Sequence, residues 1–402
     1  MKDIIHPMKL FLIKLGKAWA ALKRDGLVRG VPRVWRAFFG LFRRVVPGDV
    51  LFITNGVGDS ARYRTGNVAE ELRRQGLHTA ETVQDNPFLV SYADHFSVFV
   101  FHRVLFTPMV AKFLQRIKEQ HKEIIFETDD LVYDPLYLRH MDYYANMNPF
   151  ERKLYEHGVG GEILNDPYVT TCTTTTEFLA EKLRELGKKV FVVPNRLSVK
   201  DVEWAENVLK HRASLITHPT SVIRIGYLSG TPSHNKDFAT ITKPLSTLLA
   251  RHTHVRLVLA GPLDTDEALS TFSSQIERIP FMARQEYFAM VATLDINVAP
   301  LEVGNPFCEA KSELKFFEAG IVAVPTVASA TGTFVQAITD GVDGFVALTE
   351  AEWTEKLERL IMDKALREQM GRQAREKVLR TYTTINATHE EYYHYISSKL
   401  TK

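Results

Sequence analysis

Short apolar runs of four to seven residues, each followed by a stretch long enough for a helix, recur along most of this chain and restrict it to one class of fold. Residues 50–54 (VLFIT) read as a strand, 55–59 as a loop and 67–75 as a helix closed by Gly76, which makes one βα unit. Residues 97–101 (SVFVF), 123–126 (EIIF), 168–171 (YVTT) and 190–193 (VFVV) continue as strands. From Pro194-Asn195 a polar connector runs to Ser221, and a second series then follows at 222–228 (VIRIGYL), 255–260 (VRLVLA), 296–299 (INVA) and 322–329 (VAVPTVAS). Alternation of this kind favours doubly wound parallel sheets. The 402 residues hold two such domains, at 47–198 and 222–382, with a connector at 199–221 and a terminal helix within 383–402.

Composition is that of a globular protein, 45% hydrophobic and 24% charged. Cys172 and Cys308 stand far apart without a CxxC pair, which argues against a disulfide framework or a zinc site and fits a reducing compartment. The net charge of +2 hides an asymmetry: residues 1–46 hold eleven Lys/Arg against Asp3 and Asp25, and the rest holds 39 basic against 46 acidic groups. Basic charge is therefore an N-terminal property, and no nucleic-acid partner is expected. Residues 1–46 read as two amphipathic basic helices broken near Asp25-Gly26 and Gly30-Val31-Pro32. At 100° per residue Arg33, Arg36, Arg43 and Arg44 gather on one side, opposite Val34, Trp35, Phe38, Leu41, Phe42 and Val45. Such a segment suits an anionic membrane surface, or else packs its apolar face on the protein. No run is long enough to cross a bilayer and no cleavage site follows residues 10–15, so the expected location is cytoplasmic, peripheral at the inner face of the membrane.

Residues 305–329, NPFCEAKSELKFFEAGIVAVPTVAS, describe a helix aimed at phosphate and the strand behind it. Ser312 is placed as the N-cap, Gly320 as the helix end, and Glu318 in the last turn. Lys311 just before the helix and Lys315 one turn inside it bring two cations to its positive end, where a diphosphate fits. The run Phe317-Glu318-Ala319-Gly320 followed by Val324-Pro325-Thr326-Val327-Ala328 resembles the donor loop of family 4 glycosyltransferases, which have the GT-B fold. The resemblance implies two Rossmann-like domains facing a cleft, with the last helix crossing back onto the first. It also implies that Glu318 binds the ribose hydroxyls of a nucleotide sugar. The family's second glutamate, eight residues earlier, is replaced here by Ala310, with Glu309 one position out of register. The Ala310-Lys311-Ser312-x-Leu314-Lys315 version is one associated with bacterial surface-polysaccharide members.

Loops after parallel strands carry the ligands, so two further stretches stand out. After 222–228 come Ser229-Gly230-Thr231-Pro232-Ser233-His234-Asn235-Lys236, similar to the family's diphosphate loop, with Gly230 allowing close backbone approach and Lys236 matching its lysine. The loop's arginine is absent, and Lys311 is expected in its place. In the first domain Gly56 and Gly58 follow the first strand, Arg62 and Arg64 offer an anion dock, and His102 and Arg103 follow SVFVF. Glu127, Asp129 and Asp130 place three carboxylates at the end of the next strand.

Catalytic roles are assigned to His102, Asp130, Lys236 and Lys311. Substrate binding is assigned to Gly56, Gly58, Arg62, Arg64, Arg103, Asp129, Gly230, His234, Ser312, Lys315 and Glu318, with no metal ligand and no cofactor. The implied activity is retaining transfer of a sugar from a nucleotide diphosphate sugar to a glycan or lipid-linked glycan. Two other readings stay open. One is a single-domain GT-A transferase binding metal through Glu127–Asp130. The other is an inactive nucleotide-binding scaffold at a membrane.

Overall fold

The computed structural model describes residues 44–400 other than 57, 143, 145, 146, 148, 157, 220, 231–234, 262, 264 and 266, together with Gly16, Trp35 and Phe42. The basic helices expected within 1–46 therefore lie outside the described residues, apart from those three positions and 44–46. Among the described residues no helix is long and apolar enough to cross a membrane. The chain packs as two units. One runs to Leu138, resumes over Asn146–Arg196 and takes up the chain again from Thr388; the other holds Arg139–Ala145 and Leu197–Ala387.

The first unit is a six-stranded parallel sheet of β1 (Val50–Thr54), β2 (Thr79–Val83), β3 (Val98–His102), β4 (Glu123–Thr128), β5 (Thr171–Thr174) and β6 (Lys189–Val192), in the order β2-β1-β3-β4-β5-β6. Strand residues alternate between its faces, and both faces are covered. On one, Val50, Phe52, Val98 and Val100 meet Val68, Ala69 and Leu72 of α1 (Val68–Arg74). On the other, Phe99 sets its ring at 5.4 Å from Phe113 of α2 (Pro108–Glu119), nearly perpendicular to it. Thr176 caps α3 (Glu177–Glu185) by accepting from the Leu179 amide. Tyr392, Tyr393 and Ile396 of the last helix join the first face, which is why the chain end belongs to this unit.

The second unit is built likewise from β7 (Ile223–Leu228), β8 (Val255–Ala260), β9 (Ile276–Ile279), β10 (Ile296–Ala299), β11 (Thr326–Ser329) and β12 (Phe345–Ala347), in the order β12-β11-β10-β7-β8-β9. Its helices include α4 (Val199–Lys210), α5 (Asn235–Ala239), α6 (Thr242–Arg251), α7 (Arg284–Val291), α8 (Leu314–Gly320), α9 (Glu350–Met362) and α10 (Lys364–Thr381), and α11 (Glu390–Ser398) is the returning one. Ile223, Ile225 and Tyr227 pack against Leu245 and Leu248 of α6 and Trp353 and Leu357 of α9. Each such side chain contributes about 1.5–3 kcal/mol when fully buried.

Several expectations change. β2, β9 and β12 escaped the sequence reading because β2 and β9 are half exposed and polar and β12 is three residues long. β5 lies three residues beyond the expected 168–171, on the run Thr171–Thr174, whose β-branched residues suit a strand as well as apolar ones do. Residues 199–221 are not simply a connector, since 199–210 form α4, closed by a capping box between Ser198 and Asp201. Ser312 is not the cap of α8, which starts from Glu313 without a side-chain cap. Gly320 does not end α8 in a left-handed turn either: that conformation falls to Ala323, at φ 57°. A Cβ on Gly320 would lie 2.8 Å from Val378 Cγ2, so glycine is required there by close packing of α8 on α10.

Candidate functional site

In a doubly wound sheet the crevice for a ligand opens beyond the carboxyl ends of the strands where the strand order reverses. In the second unit that point falls between β7 and β10, and the loops leaving those two strands carry the lysines. Asp237 on α5 ties them together. Its buried carboxylate accepts from Lys311 Nζ at 3.2 Å, from Cys308 Sγ at 3.0 Å and from the Glu302 amide at 3.4 Å. Burial, with Asp237 beside it, pushes the Cys308 thiol well above its ordinary range, so it serves as a donor. The Lys311 side chain stays about a third exposed. Lys236, one residue before Asp237, is 64% exposed at its side chain, 3.9 Å from Asp142. Lys311 thus pairs with the residue that follows Lys236 in α5, while Lys236 Nζ lies by Asp142. Asp237, Glu302 and Cys308 also bring one ligand atom each within 4.8 Å of one another. A metal would compete there with Lys311, which already supplies Asp237's counter-charge.

Lys315 lies near enough to interact with Lys311 and Asp237 but points elsewhere. It turns inward, donates to the Leu228 carbonyl and lies 4.8 Å from the centre of the Tyr227 ring. Burial, relieved in part by Glu318, brings it down to about 8. Gly230 has nothing within 4 Å of an added Cβ, whereas at Gly261, at φ 84°, a Cβ would sit 2.0 Å from Ser229 O. His234 lies outside the described residues. Glu318, in the last turn of α8, is buried; its Oε1 accepts from Arg284 Nη1 and its Oε2 from Tyr287 Oη at 2.7 Å.

The first unit reverses between β1 and β3. Here Arg64 is no anion dock. It is fully buried, with Nε donating to Glu127 Oε1 at 2.8 Å and Nη2 to Oε2 at 3.0 Å, while Nη1 donates to the Val193 carbonyl and Asn195 Oδ1. Arg62 pairs with Asp59 at 2.7 Å. Arg103, in the left-handed region at φ 48°, spans both Asp129 and Asp130. Each of the three carboxylates expected to hold a metal is therefore met by an arginine. The single-domain GT-A reading fails more directly, on the presence of two separate parallel sheets. Gly56 and Gly58 have open space where a Cβ would stand.

His102 ends β3 almost wholly buried, with Nε2 2.9 Å from Ser60 Oγ. Ser60 has one hydroxyl proton and directs it to Asp129 Oδ2 at 2.8 Å, so it accepts from His102 and the imidazole carries its proton on Nε2. Burial, reinforced by Arg103 and Arg64 against the pull of Asp129, takes His102 down to about 3. Asp129 resists the upward push of burial because Arg103 and His102 draw it to about 2.

Sequence reasoning missed Asp237, Arg284, Tyr287 and Ser60 as site residues. Asp237 directly follows Lys236, and Ser60 stands two residues before Arg62, so both were within reach; Arg284 and Tyr287 carry no local signal, because their importance comes from meeting a residue 34 or 31 positions away.

Residues 222–363, within the second unit, match the family model described as Glycosyl transferases group 1. Among solved structures, HepE of Anabaena, crystallised with UDP and glucose, superposes with a TM-score of 0.60 at 12% identity, covering 87% of this chain and 100% of HepE. Sucrose-phosphate synthase of Thermosynechococcus elongatus gives 0.60 at 12%, covering 87% and 99%. A glycosyltransferase of Rickettsia africae gives 0.59 at 14%, covering 88% and 99%. No curated protein matches the chain. At these identities the likeness establishes the architecture, a GT-B fold of two Rossmann-like domains.

Proposed function

We propose that this chain is a retaining glycosyltransferase that moves a sugar from a nucleotide diphosphate sugar to a glycan or lipid-linked glycan during surface-polysaccharide synthesis. The observation that carries the reading is the meeting of the Lys236 and Lys311 loops at Asp237, inside a domain matched to group 1 glycosyltransferases. An exposed Lys236 and a partly exposed Lys311 suit a leaving diphosphate, and HepE, similar in fold, was solved with UDP. The acceptor hydroxyl attacks the anomeric carbon on the face the diphosphate leaves, and the hydroxyl proton passes to the departing phosphate oxygen. Lys236 and Lys311 stabilise the charge that develops there. His102, neutral at physiological pH, takes its part through hydrogen bonding and not as a base. Asp129, Asp130 and Arg103 serve the hydroxyl-rich acceptor.

The test is thermal-shift screening against UDP, GDP, dTDP and ADP sugars, followed by transfer to a soluble acceptor and assignment of the product anomer. Retained configuration with activity unaffected by EDTA is expected. Inversion would remove the retaining mechanism, and absence of any nucleotide-sugar response would remove the donor assignment. For residues 1–46 a surface anchor is proposed, each basic side chain adding on the order of 1 kcal/mol at an anionic bilayer. Deleting them should abolish co-sedimentation with anionic vesicles while leaving transfer to the soluble acceptor intact.

A further inference from the structure

The proposed donor site contains a carboxylate whose orientation is fixed by groups that no reading of the motif includes. Glu318 is buried on α8, and its two oxygens are held from α7: Oε1 by Arg284, Oε2 by Tyr287. Arg284 is anchored in turn. Its Nε donates to Asp201 Oδ1 at 3.0 Å, Asp201 is buried in the capping box of α4, and the guanidinium lies 4.6 Å from the centre of the Phe288 ring and 5.5 Å from that of Tyr287. Three helices, α4, α7 and α8, therefore meet on one charge chain, Asp201 to Arg284 to Glu318.

We infer that Arg284, with Tyr287 beside it, is the positioning residue that presents Glu318 to the vicinal hydroxyls of a ribose. A carboxylate recognises a diol by geometry as much as by charge, since two oxygens must face two hydroxyls at once. A buried glutamate at the end of a seven-residue helix has torsional freedom that would blur that geometry. Gripping each oxygen separately fixes the carboxylate plane, and the Arg284 charge offsets the cost of keeping the anion out of water. Asp201 and the two rings keep the guanidinium itself from turning to follow a ligand. The inference rests on the nucleotide-sugar reading above and deepens it: discrimination for ribose is built into α7, outside the glutamate loop.

The experiment measures binding of UDP and of its 2′,3′-dideoxy analogue to the full chain and to Arg284→Gln, Tyr287→Phe and Glu318→Ala. With Arg284→Gln, UDP affinity is expected to fall about tenfold and dideoxy-UDP affinity to change little, with no further loss when Glu318→Ala is added. Tyr287→Phe, which removes a single hydroxyl and keeps the ring, should show the same ribose-dependent pattern at about threefold, so a poorly folded Arg284→Gln protein would not end the test. Arg284→Lys, which keeps the charge but not the fork, should recover part of the loss. Equal loss for both nucleotides, or additive loss in the double variant, would reduce Arg284 to a structural residue and overturn the inference. If Glu318→Ala lowers UDP affinity and neither α7 variant does, the ribose role of Glu318 stands and the positioning role falls. If the unaltered protein binds neither UDP nor the GDP, dTDP and ADP counterparts, the donor reading itself fails, and the inference with it.

Discussion

The two units use sheets of one class, yet they furnish their switch points with opposite electrostatic strategies. At β1/β3 every strong charge is answered from within: Arg64 by Glu127, Arg103 by Asp129 and Asp130, while His102 is kept neutral by burial. At β7/β10 the Lys236 side chain is exposed, and that of Lys311, paired with the buried Asp237, stays about a third exposed. Internally neutralised charge makes a rigid polar floor suited to a neutral, hydroxyl-bearing ligand; tethered, exposed cations suit a dianion that brings its own charge. The difference teaches that a shared fold fixes where a ligand binds, while the partners of each charge decide what kind of ligand it is.

The largest effect separates structural from available charge. Arg64→Met leaves Glu127 buried without its main partner and should cost about 3–5 kcal/mol of stability, read from urea denaturation, whereas Lys236→Ala, which removes an exposed side chain, should stay within about 1 kcal/mol. Comparable losses would break the contrast. Activity should invert the ranking of the lysine. Lys311→Ala, or Lys236→Ala, is expected to lower kcat about 10²- to 10³-fold with a smaller change in nucleotide affinity, as loss of a group acting on developing charge does. Full activity in either variant would take that lysine out of the reaction. A smaller effect belongs to Glu318→Ala, which should weaken nucleotide binding by about 1.5–3 kcal/mol by calorimetry while unfolding remains unchanged within error.

How far the sequence revealed this arrangement follows from the range of the interactions. The βα alternation is a local pattern, so the two sheets could be read from spacing, while the stretches carrying Lys236, Lys311 and Glu318 are picked out by their resemblance to a family's loops. What failed was whatever depends on a distant partner. Arg64 and Arg103 both follow a strand in sequence, and only the fold shows one sealed beneath Glu127, 63 positions away, and the other partly exposed against Asp129 and Asp130. Lys315 was assigned to the diphosphate by helix position, but burial and the Leu228 carbonyl turned it inward. Gly320 does end α8, as read, but the close approach of α10 at that position is invisible from α8.

The two strategies should also leave opposite marks on the pH dependence of stability. His102, brought to about 3 when folded, takes up a proton in the unfolded chain near its ordinary 6.5, so the first unit loses stability as pH falls through that window. Lys315, brought to about 8, is neutral in the folded second unit while the unfolded chain still holds its proton up to 10.5, so that unit gains stability as pH rises from 8. Each group alone gives a slope approaching about 1.4 kcal/mol per pH unit at most. His389, also lowered to about 3 by burial and then by Arg196 and Arg64, adds a second acid-side contribution to the first unit. Comparing His102→Gln with the unaltered chain between pH 4.5 and 6.5 isolates one of the two, in a range above the window of Asp129. Hydrogen exchange of the β1 and β3 amides, set beside that of β7 and β10, reads each unit separately. His102→Gln should flatten the acid slope of the first unit alone, and Lys315→Met the alkaline rise of the second alone; a His102 variant with the full acid slope would mean that the imidazole is charged in the folded protein and the neutral floor at β1/β3 does not exist.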